Sequence, residues 1–272
     1  MADISNTTSP AVPVPQVLRA LGAISPAVWT LIAVILIWEV AVRITEVPVY
    51  ILPSPSRIAQ EFVVYWPRLL ANGMVTLSEV LIGFFFAVLI GVPLAVLITY
   101  SQVAERSIYP IIVASQTIPK VAIAPLLLAW FGYGMTPKVA VVVLISFFPI
   151  IINSVVGLKA SSAEMLYLAK SMGASQWQIF WKFRLPQALP YIFAGFKLAT
   201  VLAVIGAVVA EFIGADQGLG YIILIAGASF DIARQFTAII TISVIGMLFF
   251  AAIQLAERLV IPWKQSPNMP NG

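Results

Sequence analysis

The sequence contains no cysteine and no histidine in 272 residues. The absence of cysteine excludes disulfides, thiolate metal sites and cysteine nucleophiles. The absence of histidine removes the commonest metal ligand and the usual proton shuttle near neutral pH. Charged residues are also scarce, at 10% of the chain, whereas soluble domains carry roughly 25%. These absences leave few residues from which an enzyme active site could be built.

Hydrophobic residues make up 61% of the chain, and the mean hydropathy is +1.02. Such a composition indicates an integral membrane protein. The net charge is +4 and the isoelectric point is near 9.4. Because the basic residues are spread between apolar runs, the positive-inside bias of membrane loops explains them better than a nucleic-acid partner does.

Six segments are apolar and long enough to cross the hydrocarbon core, which takes about 20 residues. They are residues 27–44, 74–100, 108–131, 137–158, 188–213 and 236–261. The third is interrupted by Pro110, Pro119 and Pro125. The sequence therefore predicts an all-α integral membrane protein with six transmembrane helices.

Four other segments complete the predicted organisation. Residues 48–70 predict a proline-rich turn followed by an amphipathic surface helix, and residues 216–234 predict a loop with a short re-entrant or interfacial helix. Residues 1–26 and 264–272 are expected to be cytoplasmic tails around a membrane domain at 27–263. The apolar run from Ala27 is too long for a secretory signal peptide.

The distribution of lysine and arginine predicts the orientation in the membrane. If both termini are cytoplasmic, the inside segments hold Arg19, Arg106, Lys159, Lys170, Lys182, Arg184, Arg258 and Lys264. The outside segments then hold Arg43, Arg57, Arg68, Lys138 and Arg234. Because cytoplasmic loops are enriched in these residues, the basic insert at 159–187 is predicted to be cytoplasmic.

That insert is polar and basic, and it lies between two long apolar segments. Ser161 and Glu164 have the spacing of a capping box at a helix start, and so do Ser175 and Gln178. Gly173 suits the left-handed residue that ends a helix. Leu185-Pro186 is predicted to end the second helix or to turn it into the fifth span. The pattern predicts an elbow of two short capped helices.

The insert resembles the cytoplasmic coupling loop of ABC-importer permeases, whose pattern is Glu-Ala-Ala, three residues, Gly, nine residues, Ile, one residue, Leu-Pro. Aligned on Gly173, this chain has Tyr167-Leu168-Ala169, Phe183 and Leu185-Pro186 at the corresponding positions. The last alanine, the glycine and the Leu-Pro match. The resemblance implies contacts with an ATPase subunit from Glu164, Tyr167, Leu168, Ala169, Gly173, Ala174, Leu185 and Pro186. An interfacial hairpin without a partner is the alternative.

Further motifs resemble the nitrate/taurine/sulfonate branch of these permeases. They are Leu52-Pro53-Ser54-Pro55, Ile118-Pro119, Pro125-Leu126, Trp130-Phe131-Gly132-Tyr133-Gly134, and Glu211 followed by Gly218-Leu219-Gly220. The resemblance implies a homodimer in the bacterial inner membrane, two ATPase subunits, and a periplasmic binding protein that delivers the substrate. It implies a small anionic solute such as nitrate, taurine or another sulfonate as the substrate. Members of the branch also carry pyrimidine-type vitamin precursors and aromatic acids, which are the alternatives.

The sequence contains no GxxxxGKS/T phosphate loop. ATP and magnesium are therefore expected to bind to the ATPase subunits, with no cofactor and no catalytic residue in this chain. A secondary transporter driven by an ion gradient is the main alternative, with Glu79 and Glu211 as coupling acids. A membrane-embedded enzyme is the weakest alternative.

Ionisable residues inside spans are candidates for function because burying them is costly. They are Glu39, Arg43, Glu79, Lys120, Lys197 and Glu211. Glu39 and Arg43 are four residues apart and are predicted to pair. Lys120 follows Pro119 and has two interpretations: it lines the translocation pathway, or it forms a buried ion pair with Glu79 or Glu211. Glu211 with Gly218-Leu219-Gly220 is predicted to shape the outer gate or to form a simple tight turn.

Small residues recur along the fifth span at steps of three and four residues. They are Gly195, Ala199, Ala203, Gly206, Ala207 and Ala210. Such a stripe lets helices approach closely. It is predicted to serve packing within the chain or, alternatively, to form the dimer seam.

Overall fold

The structure is a computed structural model that describes residues 26–263, and these residues form helices and turns without a strand. The helices are α1 (Pro26–Ile44), α2 (Pro55–Tyr100), α3 (Gln102–Ser115), a 3₁₀ turn (Lys120–Ile123), α4 (Ala124–Phe131), α5 (Met135–Lys159), α6 (Ala163–Ser171), α7 (Gln176–Ile179), a π-helical turn (Phe180–Arg184), α8 (Leu185–Gly214), α9 (Leu219–Ala228) and α10 (Ile232–Val260). The predicted tails lie outside the described residues, except for Pro26, which begins α1.

Five continuous helical stretches are long and apolar enough to cross a membrane, and α3 and α4 together make a sixth that is bent by 89°. The start of α3 lies beside the end of α5, where Glu105 and Lys159 form an ion pair of 2.6 Å. The last turn of α4 lies at the other end of the bundle, where Leu128 packs on Gly214. The bent pair therefore runs from one end of the bundle to the other, as the prediction of a broken third span requires.

The second predicted span does not begin at residue 74. It is the second half of α2, a continuous helix of 46 residues that is about 69 Å long at 1.5 Å per residue. Ser54 caps its start and Pro55 occupies its first turn, while Pro67 lies inside it without ending it. The prediction of a separate surface helix at 48–70 is wrong. The packing of α2 on α9 and α10 around Gly73 stabilises one continuous helix through this region.

The centre of the bundle is the contact between α5 and α8, where the small residues of α8 are buried. A methyl group added at Gly195 would lie 2.9 Å from the Asn153 Cβ, and one at Gly206 would lie 3.1 Å from the Val142 Cα. Both neighbours belong to α5. The stripe of small residues thus serves close packing within the chain, which was the first of its two predicted roles.

Gly83 of α2 makes a second close approach to α5, and it gives a test of this packing. A Cβ at Gly83 would overlap the Cβ and Cγ1 of Val142, so we expect Gly83→Ala to destabilise the fold by about 1–3 kcal/mol through overpacking. The matched control is Gly246→Ala in α10, because its Cβ would meet nothing closer than 3.7 Å. The yield of monodisperse protein after detergent extraction should fall for the first variant only.

Helix α1 lies at the edge of the bundle, with Val42 as its one buried residue. Arg43 donates to Glu39 at 2.6 Å, which confirms the predicted pair. Glu39 also accepts hydrogen bonds from the backbone N–H and the hydroxyl of Ser56 at 2.9 and 2.8 Å. The pair therefore ties the end of α1 to the start of α2.

Candidate functional site

The first half of the predicted elbow is α6, and its cap differs from the prediction. The hydroxyl of Ser162, and not that of Ser161, accepts a hydrogen bond from the Met165 N–H at 3.3 Å. The helix therefore begins one residue later than predicted, because Ala160 still belongs to the end of α5. Glu164 then lies in the first turn without closing a capping box, at a place where a carboxylate is stabilised by the helix dipole.

The turn of the elbow and the start of its second half match the prediction. Gly173 has a φ of +79°, and the N–H of Ala174 donates to the carbonyl of Ala169 at 3.0 Å, which closes the end of α6. Ser175 and Gln178 form a complete capping box at the start of α7. The connection between the two capped helices thus takes only four residues, 172–175.

The second half of the elbow continues into the fifth span without a break. The π-helical turn follows α7, and the Leu185 N–H donates to the carbonyl of Phe180, five residues earlier. Pro186 lies in the first turn of α8, where its missing N–H costs little. Of the two predicted roles of Leu185-Pro186, the second is correct, so a movement of the elbow acts directly on α8.

Side chains along the elbow differ in exposure. Tyr167, Leu168 and Met172 are 72%, 63% and 79% exposed, and Glu164 is also at the surface. Ala169 is buried, so within the described residues it packs inside the elbow, and its predicted contact with an ATPase subunit stays a prediction. Ala174, Leu185 and Pro186 are half-buried. Together these residues give α6 a free apolar surface on a rigid, capped base.

A cluster of buried ionisable groups lies at the opposite end of the bundle. The ammonium of Lys138 donates to Glu79 at 2.8 Å, and the two residues are 7% and 1% exposed. The carboxyl of Glu211 is a neighbour of both groups and is fully buried. The partner of Glu79 is therefore Lys138, a residue that the sequence analysis assigned to an outside loop although it lies within the predicted span 137–158.

Glu211 organises the start of α9. Its carboxylate accepts hydrogen bonds from the Thr76 hydroxyl at 2.7 Å and from the Gly220 N–H. The Thr76 hydroxyl oxygen in turn accepts from the Leu219 N–H at 2.9 Å. Gly218 has a φ of +113°, and a Cβ at this position would overlap the Glu211 carboxylate. The Gly-Leu-Gly motif is thus a tight turn built around Glu211, as one of its two interpretations predicted.

Lys120 lies at the bend between α3 and α4 and is half-buried. Its ammonium is 3.4 Å from the Gln116 carbonyl oxygen and 4.5 Å from the Phe148 ring centre. Within residues 26–263 it forms no ion pair, so the predicted pairing with Glu79 or Glu211 is wrong. The break at residues 116–119 interrupts the predicted helical path, and Lys138 lies beside Glu79 instead.

Lys197 of α8 forms an ion pair with Glu257 of α10 at 2.7 Å. The sequence analysis did not identify Glu257 as a partner, although the residue lies inside the sixth predicted span. The pair joins two spans that are far apart in the chain. Its role is therefore structural.

The elbow and the buried cluster are joined by α5 and α8. At one end, α5 ends at Lys159 just before the elbow and α8 begins at Leu185 directly after it. At the other end, α5 carries Lys138 and α8 carries Glu211. Both helices therefore run from the elbow to the cluster, and they pack closely on each other.

A family model described as binding-protein-dependent transport system inner membrane component matches residues 87–262. The chain belongs to this family. It is a multi-pass membrane permease of the ABC transporter class, as the coupling-loop resemblance predicted.

Three relatives are similar to this chain over most of their length. The formylaminopyrimidine transport permease ThiX of Halalkalibacterium halodurans is 38% identical over 91% of this chain and 98% of its own. The riboflavin transport permease RibX of Chloroflexus aurantiacus is 37% identical over 87% of this chain and 89% of its own. The putative aliphatic sulfonates permease SsuC of Bacillus subtilis is 30% identical over 90% of this chain and 88% of its own.

A solved structure shares the fold. An inward-facing form of the MetNI methionine ABC transporter matches with a TM-score of 0.62 at 20% identity, over 74% of this chain and 98% of that one. The likeness confirms the all-helical membrane fold of this family.

Proposed function

We propose that this permease forms the translocation pathway of an importer that takes its energy from separate ATPase subunits. The observation that carries the proposal is the elbow, which presents an exposed apolar surface on α6 and continues into a membrane-crossing helix at Pro186. In this proposal the elbow and both termini are cytoplasmic, two copies of the chain form the pathway, and two ATPase subunits bind ATP and magnesium. A periplasmic binding protein delivers the substrate at the opposite end of the bundle.

The mechanism follows from rigid coupling. ATP-driven closure of the two ATPase subunits displaces α6, and the displacement passes through Gly173 and the π-helical turn to α8. Because α5 and α8 pack through small residues, they move as one body and transmit the motion to the turn held by Glu211. Opening and closing at that turn would alternate access to the pathway.

The composition of the purified complex tests this function. We expect the tagged permease, extracted in mild detergent, to carry one P-loop ATPase per permease chain, and transport in vesicles to require ATP. A permease that purifies alone and drives uptake in ATP-free vesicles, with loss of uptake on adding an uncoupler, would instead establish the ion-gradient transporter.

For the substrate, we propose a small nitrogen heterocycle of the vitamin or vitamin-precursor class. Support comes from the relatives named for formylaminopyrimidine and riboflavin transport, which are 38% and 37% identical. The sulfonate relative is 30% identical. The cognate binding protein tests the choice: its melting temperature should rise with an aminopyrimidine or a flavin and not with taurine or an alkanesulfonate, and the reverse result would restore the sulfonate class.

Lys120 is proposed to line the pathway, since its ammonium is half-buried at the bend and has no carboxylate partner among residues 26–263. Replacing it by methionine removes a charge-assisted contact of about 1.5 kcal/mol, so uptake should fall about tenfold. Lys120→Arg keeps the charge and should retain most of the uptake. Equal uptake by Lys120→Met and the parent protein, at equal amounts of folded complex, would remove Lys120 from the pathway.

A further inference from the structure

The second half of the elbow carries an aromatic surface that the ATPase contact on α6 does not use. Trp177, Phe180 and Trp181 are packed edge to face along α7 and the π-helical turn, and Phe180 also contacts Tyr100 at the end of α2. Phe180 packs against the bundle interior. Trp177 and Trp181 are 69% and 49% exposed, so they project away from the bundle beside the last turn of a membrane-crossing helix.

A groove runs between this surface and α2. It has a volume of about 280 Å³, its lining is apolar, and the residues around it are Val96, Tyr100, Gln176, Trp177 and Phe180. One wall is therefore the last turn of a membrane span, and the other wall is the elbow. Val96 lies one turn before the end of the predicted span 74–100.

Two basic residues of the π-helical turn follow the residues that line the groove. Lys182 is exposed and forms no ion pair within the described part of the chain. Arg184 stacks over Tyr100 at 5.0 Å, and its Nε has no hydrogen-bond partner among the described residues. Glu164 is the single acidic residue of segment 161–190. The groove is thus apolar, with Arg184 beside its Tyr100 wall and Lys182 exposed in the same π-helical turn.

We propose that this groove binds an acyl chain of an anionic glycerophospholipid from the cytoplasmic leaflet, with the headgroup phosphate at Lys182 and Arg184. Three features favour a lipid over a protein partner. Tryptophan side chains concentrate at membrane interfaces, basic pockets at the cytoplasmic side bind anionic headgroups, and the last turn of a predicted span lines the groove. The bound lipid holds the second half of the elbow in place. A displacement of α6 therefore moves α8 and does not merely tilt the whole elbow.

The proposal rests on the cytoplasmic placement of the elbow in the proposed function, but its test needs no ATPase. The purified permease is mixed with dioleoyl-phosphatidylglycerol or dioleoyl-phosphatidylcholine, and bound lipid is counted by native mass spectrometry. The parent protein should retain phosphatidylglycerol in preference to phosphatidylcholine. Lys182→Glu should weaken phosphatidylglycerol binding at least about fivefold, the effect of one lysine near an anionic surface, and Trp177→Ser should weaken both lipids.

The first half of the elbow supplies matched controls. Tyr167 is an aromatic residue as exposed as Trp177, at 72% against 69%, and Lys170 is an exposed lysine like Lys182. Tyr167→Ser and Lys170→Glu should bind lipid like the parent protein. Lipid binding that is unchanged in Trp177→Ser and Lys182→Glu, or that shows no preference for phosphatidylglycerol, would overturn the proposal.

Co-purification of the ATPase separates the two halves of the elbow. We expect Tyr167→Ser to reduce the ATPase that purifies with the permease and Trp177→Ser to leave it in place. If Trp177→Ser loses the ATPase and keeps the lipid, the groove is part of the ATPase contact and the lipid proposal fails. If no ATPase is found with any variant, the proposed function fails, while the lipid measurement stands by itself.

Discussion

Replacing Gly173 by valine should lower ATP-driven uptake about tenfold, whereas replacing it by asparagine should keep most of the uptake. Gly173 has a φ of +79°, a conformation that costs an ordinary L-residue roughly 1–2 kcal/mol. Asparagine tolerates this conformation and a β-branched residue does not. A penalty of about 1.4 kcal/mol reduces the population of the correctly turned elbow tenfold.

The pair of variants distinguishes backbone strain from side-chain bulk. A Cβ at Gly173 would meet nothing within 4 Å, so neither side chain clashes within the chain and both variants should fold. The measurement is uptake in vesicles together with the amount of ATPase that purifies with the permease. Equal uptake by the valine and asparagine variants would show that the left-handed turn is not needed for coupling.

The parts of the elbow that were predicted correctly depend on short-range chemistry. The capping box of Ser175 and Gln178 and the left-handed Gly173 involve residues within four positions of each other, so the sequence contains all that determines them. The first cap was wrong by one residue. Ser161 and Ser162 offer the same hydroxyl, and the choice between them depends on where α5 ends, which packing decides.

The errors elsewhere arose where distant parts of the chain meet. The continuity of α2 through Pro67 depends on contacts of Gly73 with residues more than 140 positions away in α9 and α10. The partner of Glu79 is 59 residues away along the chain, and hydropathy cannot choose between Lys120 and Lys138. The hydropathy of the sequence therefore located the spans, and the three-dimensional packing decided which ionisable residues are buried and which of them meet.

Replacing Lys138 by methionine should cause the largest loss of stability of any single change proposed for this protein. Among residues 26–263, the ammonium of Lys138 is the one cation beside the buried carboxyl groups of Glu79 and Glu211. Breaking a buried pair by removing one partner costs about 3–5 kcal/mol, because the remaining charge is left uncompensated. Here two neighbouring acids remain, so the turn that Glu211 forms with Gly220 should loosen as well.

Two further variants make this prediction specific to the buried cluster. Lys159→Met removes the other lysine–glutamate pair of α5, whose side chains are 40% and 42% exposed, and an exposed pair contributes at most about 1 kcal/mol. Adding Glu79→Gln to Lys138→Met removes both charges of the buried pair and should recover most of the lost stability. The midpoint of thermal unfolding in detergent should decrease least for Lys159→Met, more for the double variant, and most for Lys138→Met. Equal midpoints for Lys138→Met and Lys159→Met would show that water or a movement of α2 relieves the two acids, and that the cluster does not hold its end of the bundle together.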